Sequence, residues 1–366
     1  MPGSDASGLR KTALRWAVAA TAAALLLFAV PVPYVLYEPG KAVPVEVLVT
    51  VEKTNRPDAP LETVQPGRGA SSQHSDDDGE WLLTTVYLRA RATLWTVVES
   101  AWRADREAHA KRAVFGGSGE EEYKARMDVL MAESQGKAVE AAFRAAGVRY
   151  ETVPDGVFVT RGAGRLKAGD RIAAVDGAGV SGLAELAEAL RGRAGREAEL
   201  AVLRGGREIA VRLAMDKAGA GDLPGMPGGA ELTEILAVRP ADPALRVTID
   251  AGGFAGPSAG LALALHIYER IAGEPLTGGR RIAATGTIEP SGAVGAVGGV
   301  KMKAIAASRA GADLFLVPVE NAAEAAAAAD AAGGGMAVAG VKSLEEAVGL
   351  LRSTRVQEGR TMIGGS

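Results

Sequence analysis

Apolar and polar positions divide the chain into a long apolar run near the N-terminus, followed by strand and helix patterns. The run covers residues 16–37, which are 22 residues without a charge. As a helix it extends roughly 33 Å, which is enough to cross the core of a bilayer. Arg10, Lys11 and Arg15 precede it, so the positive-inside rule predicts a single-pass cell-membrane protein, with residues 1–15 in the cytoplasm and the bulk outside. A cleaved signal peptide is the alternative.

Residues 38–139 mix strand and helix patterns and are interpreted as an extracytoplasmic connector. Strand character is present at residues 44–52 and 81–88, and apolar side chains recur at helical spacing over residues 93–113. One or two further helices complete this part of the chain. The polar, turn-rich residues 54–80 predict a flexible loop.

Residues 140–216 have the pattern of a small unit with short strands and one helix. Strands are predicted at residues 157–160 and 171–175, and a helix over residues 183–190. A hairpin is predicted to turn at residues 205–206, which are both glycine.

A second domain is predicted after a linker. Residues 217–229 are rich in Gly and Pro and form the linker, and strands and helices alternate over residues 230–353. This alternation predicts an α/β (α+β) domain. Residues 354–366 show no periodicity and are interpreted as a tail.

Composition narrows the chemistry. The 366 residues include 41 Lys and Arg, 44 Asp and Glu, three His and no Cys, and the length suggests about two folded domains. The absence of Cys excludes thiol nucleophiles, disulfides and Cys metal sites, and the net charge of −3 argues against binding to nucleic acid. His74, His109 and His266 are far apart in sequence, so no metal site is expected, no cofactor is predicted, and a hydrolase here is expected to use another base.

A candidate nucleophile lies in residues 250–260 (DAGGFAGPSAG), between a predicted strand and an apolar helix. Pro257 suits the first position of a helix, so Ser258 is expected at the helix N-terminus. Unpaired N–H groups and the helix dipole favour the negative charge of an oxyanion there. A helix cap without catalytic function is the alternative from this segment alone. The loop residues predicted to support the oxyanion are Gly256, Pro257, Ala259 and Gly260.

The base for Ser258 is expected to be a lysine. His266 lies eight residues further on, roughly 12 Å along a continuous helix, which is out of reach. A neutral lysine can deprotonate serine if burial among apolar groups lowers its pKa from about 10.4. Residues 285–321 contain two candidates, Lys301 and Lys303, and both have apolar neighbours at helical spacing. Spacing alone leaves both lysines open.

GPSAG, followed by T-G-x-I-x-x-x-G-x-V-x-x-V-G-G-x-x-x-K, resembles the proteolytic domain of the Lon proteases. The resemblance covers about residues 230–352. It implies that Ser258 is the nucleophile, that Lys303 is the base with Lys301 as the other lysine, and that Thr285 hydrogen-bonds the base. It also implies a homo-oligomeric ring.

LKAGDRIAAVDG in the middle unit resembles the L-x-x-G-D-x-I-x-x-V-x-G pattern of PDZ domains, over about 70 residues. The resemblance implies a domain that takes an extended peptide as an added strand beside a helix. The first strand of a full PDZ domain is not evident, and a spacer without a ligand is the alternative. The predicted groove residues are Gly156, Val157, Phe158, Val159 and Leu183.

The order of anchor, helical segment, PDZ-like unit and Lon-type domain resembles membrane-anchored, PDZ-containing Lon-like peptidases. GEWLLTTV at residues 79–86 and EEEYKARMDVLMAES at residues 120–134 point to the same group, whereas Ala255 stands where many Lon enzymes have an acidic residue. No G-x-x-x-x-G-K-[ST] motif occurs. The resemblance implies an ATP-independent Ser-Lys endopeptidase that cleaves peptides, unfolded proteins or membrane-near segments. An inactive peptide-binding scaffold is the alternative.

Overall fold

The computed structural model describes residues 6–53, 79–191, 193, 195–215, 230–250, 252–333 and 335–363. The predicted loop that contains His74 lies almost entirely outside the described residues, and so does the predicted linker over residues 217–229. The elements below are therefore those of the described part of the chain.

The N-terminal apolar run forms a helix that ends eight residues earlier than predicted. Pro31 and Pro33 have no amide N–H and disfavour a helical conformation in the residue before them, so the helix stops before Pro31. The predicted helix over residues 16–37 is therefore wrong in its last part, where Val35 and Leu36 are buried in a strand. The first elements are α1 (Ala6–Ala29), β1 (Pro31–Val32) and β2 (Tyr34–Pro44).

The helix α1 is a candidate membrane span. Among the described residues, its Lys11–Ala29 part is the one helical stretch long and apolar enough to cross a bilayer. A signal sequence near the N-terminus has the same length and composition. The single-pass topology therefore stays a prediction.

The next elements are β3 (Val49–Lys53), β4 (Glu80–Arg89), β5 (Ala92–Thr93), α2 (Leu94–Ser100), β6 (Glu107–Ala110), α3 (Lys111–Phe115) and α4 (Glu120–Ala145). The predicted strand at residues 81–88 is confirmed as β4. The strand predicted at residues 44–52 is interrupted by a 3-10 turn at Val45–Val47. The helix predicted over residues 93–113 is wrong between Ser100 and Lys111, because β6 pairs with β2 and this tertiary contact overrides a weak helix propensity.

The middle unit contains the strands, the helix and the hairpin that its sequence predicts. Its elements are β7 (Tyr150–Arg161), β8 (Arg171–Val175), β9 (Ala178–Gly179), α5 (Leu183–Leu190), β10 (Glu197–Arg204) and β11 (Arg207–Ala214). The buried Asp170 accepts hydrogen bonds from Arg204 at 2.6 and 2.7 Å and from the Lys167 amide at 2.9 Å. Because a buried carboxylate needs such partners, these bonds explain the Gly-Asp pair before β8.

The strand β12 (Glu231–Pro240) returns the chain to the middle unit. It runs antiparallel along β7, with Glu231 opposite Arg161 and Pro240 opposite Tyr150. The sheet order is β11-β10-β8-β7-β12, with β9 beside β8. A strand that the PDZ-like pattern alone did not reveal is therefore supplied from beyond the linker, inside the predicted second domain.

The remaining elements are β13 (Leu245–Ile249), α6 (Gly260–Ala272), β14 (Arg281–Ala284), β15 (Thr287–Ile288), β16 (Val294–Gly295), α7 (Val300–Arg309), β17 (Leu314–Pro318), α8 (Ala322–Ala331), β18 (Ala337–Val341) and α9 (Leu344–Ile363). The strands β18, β17, β14 and β4 are parallel neighbours, and antiparallel β2 and β6 complete the sheet. The tail predicted over residues 354–366 is wrong up to Ile363, because α9 continues through it.

Helices cover both faces of this sheet. In β4, Trp81 and Leu83 pack in the core with α4 and α6, whereas Leu82 packs with α7 and α8 on the other face. Parallel strands buried on both faces need such a three-layer arrangement. Residues 38–139 therefore share a sheet and a core with residues 230–353 instead of forming a separate connector, and the middle unit is inserted between the two parts.

Candidate active site

Ser258 lies in a 3-10 turn, Pro257–Ala259, that leads directly into α6. Gly256 before the turn has φ +93°, in the left-handed region that side chains disfavour, which explains a glycine at this position. Pro257 occupies the first position of the turn, where no amide N–H is needed. The serine therefore lies at a helix N-terminus, as predicted.

A lysine from the first turn of α7 reaches this serine. Lys303 Nζ lies 2.6 Å from Ser258 Oγ and 2.9 Å from Thr285 Oγ1. Lys303 is only 3% exposed, and Thr285 is fully buried. The structure thus brings the three predicted catalytic residues together in one hydrogen-bonded group.

Burial controls the protonation of Lys303. An apolar environment disfavours the ammonium form, and burial lowers the pKa of Lys303 from 10.5 to about 7. A substantial fraction of the amine is therefore neutral near physiological pH. A neutral amine 2.6 Å from the serine hydroxyl can accept its proton.

Lys301, which spacing alone left open, lies elsewhere. Its Nζ is 3.3 Å from a carboxylate oxygen of Glu107 in β6, and its side chain is 31% exposed. Residues two positions apart on a helix do not face the same side. The structure therefore places Lys303, and not Lys301, at Ser258.

Thr285 orients both members of the pair. Its hydroxyl donates to the Ser258 carbonyl at 3.1 Å, so toward Lys303 it acts as an acceptor. When the neutral Lys303 amine donates an N–H to Thr285, its lone pair is free to point toward Ser258 Oγ, which lies 2.6 Å away. The Thr285 amide donates to the Leu316 carbonyl of β17 at 3.0 Å, and this bond holds the threonine beside that strand.

The start of the helix offers donors for an oxyanion. The first N–H groups of a helix have no acceptor within it, and Pro257 has no N–H to offer. The Gly260 amide is already bonded to the Pro257 carbonyl. The amides of Ser258 and Ala259 are therefore the ones suited to stabilise negative charge beside the nucleophile.

Two residues of α4 that sequence analysis did not single out contact the nucleophile loop. The Gly256 amide donates to the Met127 carbonyl at 2.9 Å. Ser134 Oγ donates to the Pro257 carbonyl at 2.9 Å. Nothing in the local pattern of the loop indicates a contact with a helix more than 120 residues earlier. The resemblance of residues 120–134 was the one sequence feature that drew attention to this helix.

The described histidines occupy other positions. His109 was expected on a helix, but it lies in β6, with its ring centroid 4.5 Å from that of Tyr37 and its Nε2 3.5 Å from Glu107. His266 is buried within α6. The position of the base beside Ser258 is taken by Lys303.

The five predicted groove residues lie at the β7–α5 side of the middle unit. β12 covers this edge of β7, with Thr233 opposite Phe158 and Glu234 opposite Val157. The Leu183 amide at the start of α5 donates to Glu234 Oε1 at 2.8 Å. A segment of the chain itself therefore occupies the edge to which a peptide strand was expected to add.

A serine at a helix N-terminus with a buried lysine on its hydroxyl defines the site as one suited to a serine peptidase with an amine base. Residues 245–352 match the Lon protease (S16) C-terminal proteolytic domain. The Lon protease of Clostridioides difficile (strain 630) is 48% identical over 65 residues, which are 18% of this chain and 8% of that protein. The aligned region is thus a small part of this relative. The matched domain indicates a serine peptidase.

Proposed function

We propose that this chain is a membrane-anchored serine endopeptidase that needs no ATP and uses Ser258 and Lys303 as a catalytic dyad. The observation that carries the proposal is the 2.6 Å approach of Lys303 Nζ to Ser258 Oγ in a buried environment. The domain match over residues 245–352 supports the same reaction class. An inactive scaffold gives no reason to keep a buried amine, because burying an ionisable group destabilises the fold.

In the proposed reaction, the Ser258 hydroxyl gives its proton to the neutral amine of Lys303 as Oγ bonds to the scissile carbonyl carbon. The carbonyl electron pair moves to oxygen, and the amides of Ser258 and Ala259 stabilise the oxyanion. The oxyanion then collapses, the C–N bond breaks, and the Lys303 ammonium protonates the leaving amine. Water attacks the remaining ester with the same amine as base, which releases the acid and restores Ser258.

For the PDZ-like unit we propose a gating role. An extended peptide needs a free strand edge, and β12 occupies the edge of β7 beside α5. A peptide therefore adds there only when the first half of β12 moves aside. α4 contacts both regions, because the Gly162 amide donates to Glu122 Oε1 at 3.3 Å and Ser134 contacts the nucleophile loop.

Contacts at the end of α1 support a retained anchor over a cleaved signal peptide. The ring centroid of Phe28 in α1 lies 5.2 Å from that of Trp95, which is 5.9 Å from that of Trp102. β1 pairs with β5, so the chain after the helix is part of the fold. Aromatic side chains at the end of a span are typical of the membrane interface.

We also propose that cleavage needs no ATP, because the order of segments resembles that of the membrane-anchored, PDZ-containing Lon-like peptidases; the 366 residues contain no G-x-x-x-x-G-K-[ST] motif. The proposed substrates of a peptidase that needs no ATP are peptides, unfolded proteins and membrane-near segments. The homo-oligomeric ring implied by the resemblance stays a prediction.

The pH dependence of peptide cleavage is expected to follow Lys303. Only the neutral amine acts as base, and its pKa is about 7. We expect kcat/KM to fall about tenfold per pH unit below 7 and to reach a plateau above pH 8. Initial rates on a peptide without ionisable side chains, measured from pH 5.5 to 9, check this. Full activity at pH 5.5 would exclude a lysine base.

One experiment tests the anchor and the activity together. The full chain is reconstituted into lipid vesicles, washed with alkaline carbonate and floated on a density gradient, and each fraction is assayed on an unfolded protein with and without ATP. We expect cleavage in the floated fraction, unchanged by ATP, and slower cleavage of a stably folded substrate. Activity that stays at the bottom contradicts the anchor. Floated protein that cleaves nothing contradicts the proposed peptidase activity. Cleavage that requires ATP contradicts the proposed independence from ATP.

A further inference from the structure

The helix α4 lies outside the region that matches the proteolytic domain, yet it contacts the loop that carries the nucleophile. The domain match begins at residue 245, whereas α4 covers Glu120–Ala145 and precedes the inserted middle unit. Two hydrogen bonds join α4 to the loop, one from the Gly256 amide to the Met127 carbonyl and one from Ser134 Oγ to the Pro257 carbonyl, both 2.9 Å long.

The two contacts come from one side of the helix. Met127 and Ser134 are seven residues apart, which is about two turns. Ser134 is 3% exposed, so its hydroxyl has no bulk water as an alternative partner, and the bond to Pro257 satisfies it.

The packing around this contact is close. A Cβ at Gly260 would lie 2.7 Å from Ile288 Cγ2 and 3.0 Å from both the Ile288 amide nitrogen and Ser134 Oγ, so a larger residue would push against β15 and crowd Ser134. The last glycine of GPSAG therefore accommodates β15 on one side and Ser134 of α4 on the other. Ser134 of α4 and Gly260 of the motif therefore pack closely against each other.

The two bonds hold the backbone immediately before the nucleophile. Gly256 has φ +93°. Because a glycine has no Cβ, its backbone could also adopt other conformations here, and other contacts must hold it in this one. The bond from its amide and the bond to the Pro257 carbonyl fix the orientation of the peptide unit that carries the Ser258 amide. The direction of that amide and the position of Oγ relative to Lys303 depend on this orientation.

We propose that Ser134 is a positioning residue for the reaction, and that the part of α4 from Met127 to Ser134 supports the active site. Ser134 acts through the Pro257 carbonyl, keeping the Ser258 amide aimed at the oxyanion and Oγ at Lys303. The inference rests on the proposed peptidase function for its kinetic consequences, and on the hydrogen bond alone for its structural ones.

Replacing Ser134 with alanine tests this, with Val139→Ala as the matched control. Val139 is also buried on α4, and it packs in the core. We expect Ser134→Ala to lower kcat for a peptide on the order of 10- to 100-fold, with KM within about twofold of wild type. Its pH midpoint is expected to stay near 7, because Lys303 remains buried. Val139→Ala is expected to lower the melting temperature with kcat retained within about twofold.

Amide hydrogen exchange of the segment over residues 252–262 gives a readout that does not depend on catalysis. Faster exchange in this segment for Ser134→Ala, and not for Val139→Ala, supports the proposal even if the wild-type chain proves inactive, which would contradict the proposed function alone. Unchanged exchange, an unchanged kcat, or an equal loss of kcat in both variants would overturn the positioning role.

Discussion

Replacing Ser258 with alanine is expected to lower kcat/KM for an unfolded peptide by about 10⁴- to 10⁶-fold. The change removes the oxygen that forms the acyl-enzyme in the proposed reaction. The fold is expected to remain, because the Ser258 carbonyl keeps its bonds from the Gly286 amide and the Thr285 hydroxyl. Turnover of a fluorogenic peptide, with melting temperature as the stability measure, checks the prediction.

Ser353→Ala is the matched control for this variant. Ser353 is exposed on α9, where its hydroxyl donates to the Leu350 carbonyl at 2.7 Å. Its activity is expected to equal that of wild type. A fluorophosphonate that labels serine nucleophiles is expected to modify wild type and Ser353→Ala, but not Ser258→Ala. Retained cleavage by Ser258→Ala would show that the activity has another nucleophile.

The hydrogen-bonded group of Ser258, Lys303 and Thr285 could be predicted largely from the sequence, because the position of Ser258 depends on local geometry and a resemblance pointed to the other two residues. A proline and glycines around Ser258 place it at a helix start, and the resemblance named Lys303 and Thr285. The choice between the lysines could not be made from spacing, since both have apolar neighbours. It depends on Glu107, which lies on a distant strand and pairs with Lys301.

The domain arrangement could not be predicted because it depends on contacts between distant segments. The strand character of residues 81–88 predicts a strand, but it does not show that the strand lies between β2 and β14. The pairing of β12 with β7 likewise crosses the linker. The early end of α1 could have been predicted from the sequence, because Pro31 and Pro33 lie inside the apolar run and disfavour a helix there.

Replacing Lys303 with methionine is expected to lower kcat/KM by about 10³- to 10⁴-fold and to stabilise the fold at neutral pH. Methionine fills a similar volume but has no amine to accept the serine proton. The stability gain follows from the lowered pKa. The unfolded chain keeps its lysine protonated up to about pH 10.5, whereas the folded chain loses that proton near pH 7, so the buried lysine costs stability below pH 10.5.

The sign of this effect gives a test separate from activity. Between pH 7 and pH 9 the unfolded wild type binds more protons than the folded state, so wild-type stability rises relative to the variant. We expect Lys303→Met to be more stable at pH 7, with an advantage that shrinks on the order of 2 kcal/mol by pH 9. Denaturant unfolding of both proteins at the two pH values measures the difference.

Lys301→Met is the matched control, since it removes a lysine two positions away that pairs with Glu107, both side chains being partly exposed to solvent. Ion pairs that remain in contact with solvent contribute little, so this variant is expected to keep its activity and to change stability by about 1 kcal/mol or less at either pH. An active Lys303→Met with an inactive Lys301→Met would move the base to Lys301. An inactive Lys303→Met whose stability relative to wild type does not change with pH would mean that Lys303 is charged in the folded protein and acts as an electrostatic partner of Ser258, not as its base.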